Sequence, residues 1–277
     1  MKVEVKSLLR RERLPHIWCP GCGLGIVLKV FIDAIVKAGL DPDKVVVVSG
    51  IGCTGRMAGY VNVDSYHVTH GRAIPFATGI KVANPELEVF VISGDGDILS
   101  IGGNHFIHAI RRNMDINVIM VNNFIYGMTG GQVAPTTPLG ARALTAPYGN
   151  HEPPFNAPYL AMVLGANFVA RWTPLHRDYF LNAILEAINT RGFTFIEVVS
   201  PCLIFNDFNN IPDAIDIMEK FRELCVIDNN PDPKDLIIDL RKDQRIVVGN
   251  FHKDNKPSFL DNYKRVIEIA RGGAGKK

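Results

Sequence analysis

The chain has 277 residues, 47% of them hydrophobic and 21% charged, and its 30 basic and 28 acidic side chains leave a net charge of +2. These values exclude a disordered, collagenous or low-complexity protein, and a chain this long buries enough surface to fold without disulfide staples. The balanced, interspersed charge gives no electrostatic case for nucleic acid or a membrane surface as partner. Residues 1–13 are charged and lack the apolar core of a secretory signal. The most apolar helical stretch, residues 26–36, is broken by Lys29 and Asp33 and is too short to span a bilayer. A cytoplasmic location is therefore expected, where five cysteines serve as metal ligands, catalysts or buried thiols rather than as disulfides.

In chain order, residues 24–38 place Leu24, Leu28, Phe31 and Ile35 on one helical face, with Gly39 at the capping position. Residues 45–48 form a short all-apolar run that reads as a buried parallel strand, and residues 89–93, 116–121 and 193–199 repeat it. Helical segments at 104–112 and 178–189 lie between these runs. The alternation predicts an α/β domain whose mostly parallel sheet is covered by helices on both faces. Ligands of such folds sit beyond the carboxyl ends of the strands. Three glycine-rich loops occupy that position, at 50–55, 94–103 and 122–131. The texture then changes: residues 206–235 carry Asn, Asp and Pro clusters, and 234–250 reads as one short hairpin. Residues 1–205 are expected to be the working domain, and 206–277 an extension packing on it or on a partner subunit.

Gly94-Asp95-Gly96-Asp97 follows a predicted strand directly, and Asn122-Asn123 closes the next one after a helix and a strand, the length of a βαβ crossover. Parallel neighbours bring both strand ends to one sheet edge. Asp95 and Asn123 can then share a hard cation through oxygen, and small glycines let backbone N–H groups approach phosphates. Magnesium suits such a site, because it binds through few protein oxygens plus phosphates and water. The spacing resembles the GDG…NN signature of thiamine diphosphate enzymes. That resemblance implies Asp95, the Asn123 side chain and the Ile125 carbonyl as ligands of Mg2+.

Trp18-Cys19-Pro20-Gly21-Cys22-Gly23 is a C-x-x-C knuckle just before a helix. By itself it suits zinc, an iron–sulfur cluster or a redox dithiol. Cys53 and Cys202 each follow a predicted strand and are expected at the same sheet edge. Four thiolates suit a structural zinc or a [4Fe–4S] cluster, and a position beside a reactive cofactor favours the cluster. Cys225, in the apolar run 224–227, reads as a buried inert thiol.

The segments WCPGCG, GIGCTGR, THGR, GDGD with IGGNH, NNFIYGMTGGQ and SPC, over residues 14 to 205, resemble the β subunits of 2-oxoacid:ferredoxin oxidoreductases. The resemblance implies that Cys19, Cys22, Cys53 and Cys202 hold a [4Fe–4S] cluster close to thiamine diphosphate. It further implies cofactor contacts from Ile51, Gly52, Cys53, Thr54, His70, Gly96, Asp97, Gly127 and Met128. The glutamate that such enzymes direct at the aminopyrimidine ring has no domain to carry it here, so an α subunit is expected to supply it. The expected partners are that α subunit, further γ and δ subunits, ferredoxin, coenzyme A and a 2-oxoacid. The expected reaction is oxidative decarboxylation of the 2-oxoacid with coenzyme A to an acyl-CoA.

The segment Tyr126–Gln132 resembles 2-oxoglutarate-type subunits, and a distal carboxylate wants a bidentate cation. Arg56, three residues after Cys53, is the first candidate, beside His70 as the second catalytic residue; Arg72 is a weaker one. Broad-specificity relatives carry lysines where this chain has Arg56 and Gly130, which leaves pyruvate and branched-chain 2-oxoacids as alternative substrates. Two other readings remain open: a non-redox thiamine diphosphate decarboxylase or synthase subunit with structural zinc, and a regulatory phosphate-binding module that uses the same loops without catalysis.

Overall fold

The structure, a computed structural model, describes residues 4–210, 214–239 and 245–272. In chain order its main elements are α1 (Leu24–Ala38), β1 (Val45–Ser49), β2 (Asp64–His67), α2 (Ala73–Ala83), β3 (Glu88–Gly94), α3 (Gly103–Arg111) and β4 (Asn117–Asn122). A two-stranded ribbon follows, β5 (Ile125–Tyr126) and β6 (Gln132–Val133). Then come α4 (Ala157–Leu164), β7 (Phe168–Trp172), α5 (Arg177–Asn189), β8 (Thr194–Val199), α6 (Leu203–Phe208), α7 (Ala214–Leu224), β9 (Cys225–Ile227), β10 (Ile246–Lys253) and α8 (Phe259–Ala270).

Eight strands form one sheet in the order β2-β1-β3-β4-β8-β7-β10-β9. The six strands from β2 to β7 are mutually parallel, and β10 runs antiparallel to β7. Each central strand sends alternate side chains into two separate cores. Val45, Val47, Phe90, Ile92, Ile119 and Val121 join α1 on one face, whereas Val46, Val48, Val89, Val91, Val118 and Met120 meet residues of α2 and α3 on the other. Burial on both faces explains why these strands read as continuous apolar runs. Gly39 caps α1 at φ +67°, the left-handed conformation a glycine tolerates.

The expected α/β fold is thus present, but the C-terminal part differs from the reading of 234–250 as a hairpin. Residues Pro233–Leu236 make a single 3-10 turn, and β10 pairs with β7 and β9 instead of folding back on its own preceding segment. The physical reason is the open edge of β7: a lone hairpin is marginal in water, whereas joining an existing sheet satisfies a row of unpaired backbone groups. Residues 240–244 lie outside the described residues. Cys225 sits half-buried on the edge strand β9, where burial pushes its thiol up to about 12.

Candidate functional site

β1, β3, β4 and β8 are neighbours in the sheet, and the segments leaving their carboxyl ends converge. Register places Gly94, the last residue of β3, opposite Val121 of β4, so Asp95 and Asn123 leave the sheet side by side. One open cleft is lined by Ile51, Gly52, Cys53, Thr54, His70, Asp95, Gly96, Asp97, Asn123, Ile125, Gly127 and Met128, together with Gly94, Tyr126 and Thr129. Every residue expected at the diphosphate and the cation therefore lies on it. The cleft encloses about 90 Å³, well below the roughly 300–1,000 Å³ of sites that bury a whole cofactor-sized ligand. It is too small to enclose such a ligand by itself. Gly52, at φ +107° with open space where a Cβ would point, lets a ligand reach bare backbone. At Gly96 the Tyr126 ring lies 2.3 Å from an ideal Cβ position, so only glycine lets that ring close the cleft.

The oxygens expected to hold a cation converge. One terminal atom of the Asn123 carboxamide lies 2.8 Å from the Ile125 carbonyl oxygen and 3.2 Å from Asp95 Oδ1. With its NH2 there, Asn123 donates to both; with its oxygen there, three oxygens meet with no proton between them. Oxygens on adjacent corners of an octahedral magnesium, each about 2.0–2.1 Å from the metal, stand about 2.9 Å apart. In the second orientation the Asn123 oxygen stands from each of the other two at a spacing close to that of neighbouring magnesium ligands. Burial pushes the Asp95 carboxyl up to about 7, even though the Thr136 hydroxyl donates to its other oxygen. Burial without a counter-charge favours the neutral acid, and a cation at these oxygens would favour the carboxylate instead. The turn presenting these oxygens is strained, since Phe124 holds φ +66°. Asn122 Oδ1 accepts from the Phe124 N–H at 3.1 Å and Thr137 Oγ1 donates to the Phe124 carbonyl at 2.6 Å, which fixes the turn.

Asp97 lines the cleft with its carboxylate spent on protein donors. It accepts from the N–H of Ile51 at 3.1 Å, the N–H of Gly71 at 2.7 Å and the Ser93 hydroxyl at 2.9 Å. Its part is to position the 50–54 loop and His70, which a π-helical turn at Gly96–Ile101 allows by setting Asp97 just beneath them.

A second cavity of about 160 Å³ adjoins the first and is lined by all four expected thiols, Cys19, Cys22, Cys53 and Cys202. The Cys22 N–H donates to the Cys19 carbonyl at 3.0 Å, closing the knuckle, and the Trp18 indole N–H donates to the Cys53 carbonyl at 2.8 Å, tying knuckle to loop. Burial pushes the Cys22 thiol up to about 11 and raises those of Cys53 and Cys202, with neighbouring thiols adding to each. Among the described residues no three His, Cys, Asp or Glu stand close enough to share one metal ion. The Ser200 hydroxyl on this wall is buried without a partner. Cys53, Asn123, Gly127 and Met128 line both cavities, and a Cβ on Gly127 would lie 3.2 Å from Cys202 Sγ.

Arg56, expected at the substrate, is not among the residues lining the cleft. Thr54 faces the cleft, but at three residues per turn the Thr54–Gly59 3-10 helix carries Arg56 round to another side, where it lines a separate cavity. Arg72 bonds to His105 Nε2 at 3.2 Å and to the Gly71 carbonyl at 3.3 Å, also away from the cleft. Sequence reasoning missed Thr136, Tyr126 and Trp18. Trp18, an aromatic directly before a cysteine knuckle, and Tyr126, within the segment that follows the Asn pair, each stand in a stretch the sequence singles out, whereas Thr136 does not.

Residues 36–198 match the family described as thiamine pyrophosphate enzyme, C-terminal TPP binding domain. The 2-oxoglutarate synthase subunit KorB of Methanocaldococcus jannaschii is 47% identical over 261 residues, covering 94% of this chain and 96% of its own. Its counterpart in Archaeoglobus fulgidus is 46% identical over 277 residues, covering 100% and 99%. A solved 2-oxoglutarate:ferredoxin oxidoreductase from Magnetococcus marinus, with 2-oxoglutarate, coenzyme A and succinyl-CoA bound, superposes with a TM-score of 0.85 at 32% identity, covering 99% of this chain and 93% of that one. No helix among the described residues is long and apolar enough to cross a membrane. The chain belongs to the 2-oxoglutarate synthase KorB family and is an oxidoreductase subunit built on a thiamine diphosphate-binding domain.

Proposed function

We propose that this chain is the β subunit of an enzyme that converts 2-oxoglutarate and coenzyme A to succinyl-CoA and carbon dioxide, with both electrons leaving on ferredoxin. The observation that carries this reading is the shared wall between the two cavities: Cys53, Asn123, Gly127 and Met128 face the cofactor cleft and the four-thiol cavity at once. A redox centre is useful in that place, because short distance favours electron transfer out of the cleft. The thiol set suits a [4Fe–4S] cluster better than zinc: a single ion needs sulfurs about 2.3 Å from one centre, whereas these four surround a cavity without three meeting.

When bound, thiamine diphosphate supplies the electron sink that lets carbon dioxide leave a 2-oxoacid, and the cluster accepts electrons one at a time. The chain's own residues bind and align. Asp95, Asn123 and the Ile125 carbonyl would hold Mg2+, and through it the diphosphate; Gly52, Thr54 and Gly96 offer backbone and hydroxyl to the phosphates. His70 presents its ring at the cleft, held from behind by Asp97. The small enclosed volume of the cleft supports a second, α subunit that closes it and directs a glutamate at the aminopyrimidine ring; γ and δ subunits and a cytoplasmic location extend the same reading.

The test is coenzyme A-dependent reduction of ferredoxin by the complex of this chain with its α subunit. 2-Oxoglutarate should be turned over with a kcat/KM at least about 10-fold above that for pyruvate. Preference for pyruvate would replace the substrate, and turnover without reduction of an acceptor would replace the redox reading by a non-redox decarboxylase.

A further inference from the structure

Ser200, 1% exposed, directly follows β8, and its N–H donates to the Asn122 carbonyl at 2.9 Å. Its Oγ has no hydrogen-bond partner, and a hydroxyl buried unpaired costs stability. The side chain stands beside the cysteine knuckle: an ideal Cβ on Gly23 would lie 2.3 Å from this oxygen, so the glycine after Cys22 leaves it room. Cys202 follows two residues on, at the start of α6. Among the described residues lining the four-thiol cavity, three side chains other than the thiols carry an N–H or O–H: Trp18, Asn123 and Ser200. The Trp18 indole spends its proton on the Cys53 carbonyl, and the Asn123 carboxamide faces the Ile125 and Asp95 oxygens. Of the three, Ser200 alone has a proton to give.

The backbone around this cavity already favours negative charge on sulfur. Against the burial that raises both thiols, the Leu24 N–H bonds to the Cys22 sulfur, and those of Ile204 and Phe205 to the Cys202 sulfur. Hydrogen bonds to the sulfurs of an iron–sulfur cluster stabilise its reduced, more negative form and so raise its reduction potential. We propose that Ser200 donates its hydroxyl proton to a sulfur of the cluster, and thereby sets how readily the cluster takes an electron from the cofactor cleft. In that step the cluster gains one electron and the proton stays on Oγ. The inference rests on the cluster proposed above and goes beyond it by naming the side chain that tunes it.

The experiment is a potentiometric titration of the anaerobic α/β complex with dithionite, followed by electron paramagnetic resonance, wild type beside Ser200→Ala. Iron and sulfide are measured on both, and should be equal. One-electron reduction of Ser200→Ala should be about 10-fold less favourable, the size of effect for loss of a charge-assisted hydrogen bond. That is a midpoint lowered by about 60 mV. Pulsed spectra of the reduced cluster in H2O and D2O should show an exchangeable-proton coupling in the wild type that Ser200→Ala lacks. Equal midpoints and equal couplings in two iron-loaded proteins would overturn the proposal while leaving the cluster in place, the hydroxyl being satisfied by water instead. A lowered midpoint with every coupling retained would trace the shift to altered packing or solvent access, and would overturn it too. Loss of iron from Ser200→Ala would make the hydroxyl a group that holds the cluster, not one that sets its potential. A wild-type complex without iron would overturn the redox reading as well as this inference.

Discussion

His70 Nδ1 lies 2.6 Å from Asp97 Oδ1, an oxygen that also accepts from the backbone of Ile51 and Gly71. The contact orients the imidazole edge-on to Tyr126, with ring centroids 6.2 Å apart, and leaves Nε2 as its other polar atom. A buried carboxylate with these donors is a strut between two loops that line the cleft.

Asp97→Asn places an NH2 group where donors already point. It should destabilise the chain by about 1–3 kcal/mol, the cost of leaving buried donors unpaired. It should also weaken thiamine diphosphate by about 10-fold or more, because the 50–54 loop and His70 lose their common anchor. Thermal unfolding with and without the cofactor and Mg2+ measures both; a variant with unchanged stability and affinity contradicts the strut.

A second network joins the C-terminal strands to the Phe124 turn. Arg171, 2% exposed, pairs with Glu197 and donates to the carbonyls of Leu236 at 2.9 Å and Val247 at 3.3 Å. Glu197 accepts from Asn122 Nδ2 at 2.8 Å, and Asn122 in turn braces Phe124. Glu197→Leu alone should cost about 3–5 kcal/mol, because it strands a buried guanidinium. The double variant Arg171→Met/Glu197→Leu should recover much of that loss. Equal unfolding midpoints for the single and double variants would show that the pair is not coupled.

The sequence shows the parts of this molecule whose chemistry restricts residue type. The glycine loops, Asp95, Asn123 and the four thiols can be read because strand-end position and side-chain chemistry coincide. β7 escapes, since Arg171 interrupts its apolar run and only its partner Glu197, on a neighbouring strand, makes it buriable. Arg56 lies in the right loop, but two residues of 3-10 helix decide which cavity it faces, and spacing does not record that rotation. Thr136 donates to Asp95 across 41 positions, a contact created only by tertiary folding.

Glu88, at the far end of β3 from the cleft, gives a pH-dependent signature. Burial pushes its carboxyl up to about 7 from an ordinary 4.5, against the Lys81 ammonium and the Asn117 amide that favour ionisation, while Asp115 adds to the rise. Between about pH 4.5 and 7 the folded chain holds a proton that the unfolded chain has released, so Glu88 lowers stability as pH rises through that window. The full effect is about 3 kcal/mol. Glu88→Gln, which mimics the protonated form, should flatten this part of the stability–pH profile and leave cofactor binding untouched. An unchanged slope would show that Glu88 titrates alike in both states.

The central proposal is a [4Fe–4S] cluster held by Cys19, Cys22, Cys53 and Cys202 against the wall of the thiamine diphosphate cleft. The most direct measurement is iron, acid-labile sulfide and zinc content of the anaerobically purified α/β complex, wild type beside Cys53→Ala. The wild type should hold about four iron and about four sulfide per β chain with a broad visible absorption, and Cys53→Ala should lose them while keeping the fold. One zinc per chain without sulfide, or iron unchanged by Cys53→Ala, would contradict it.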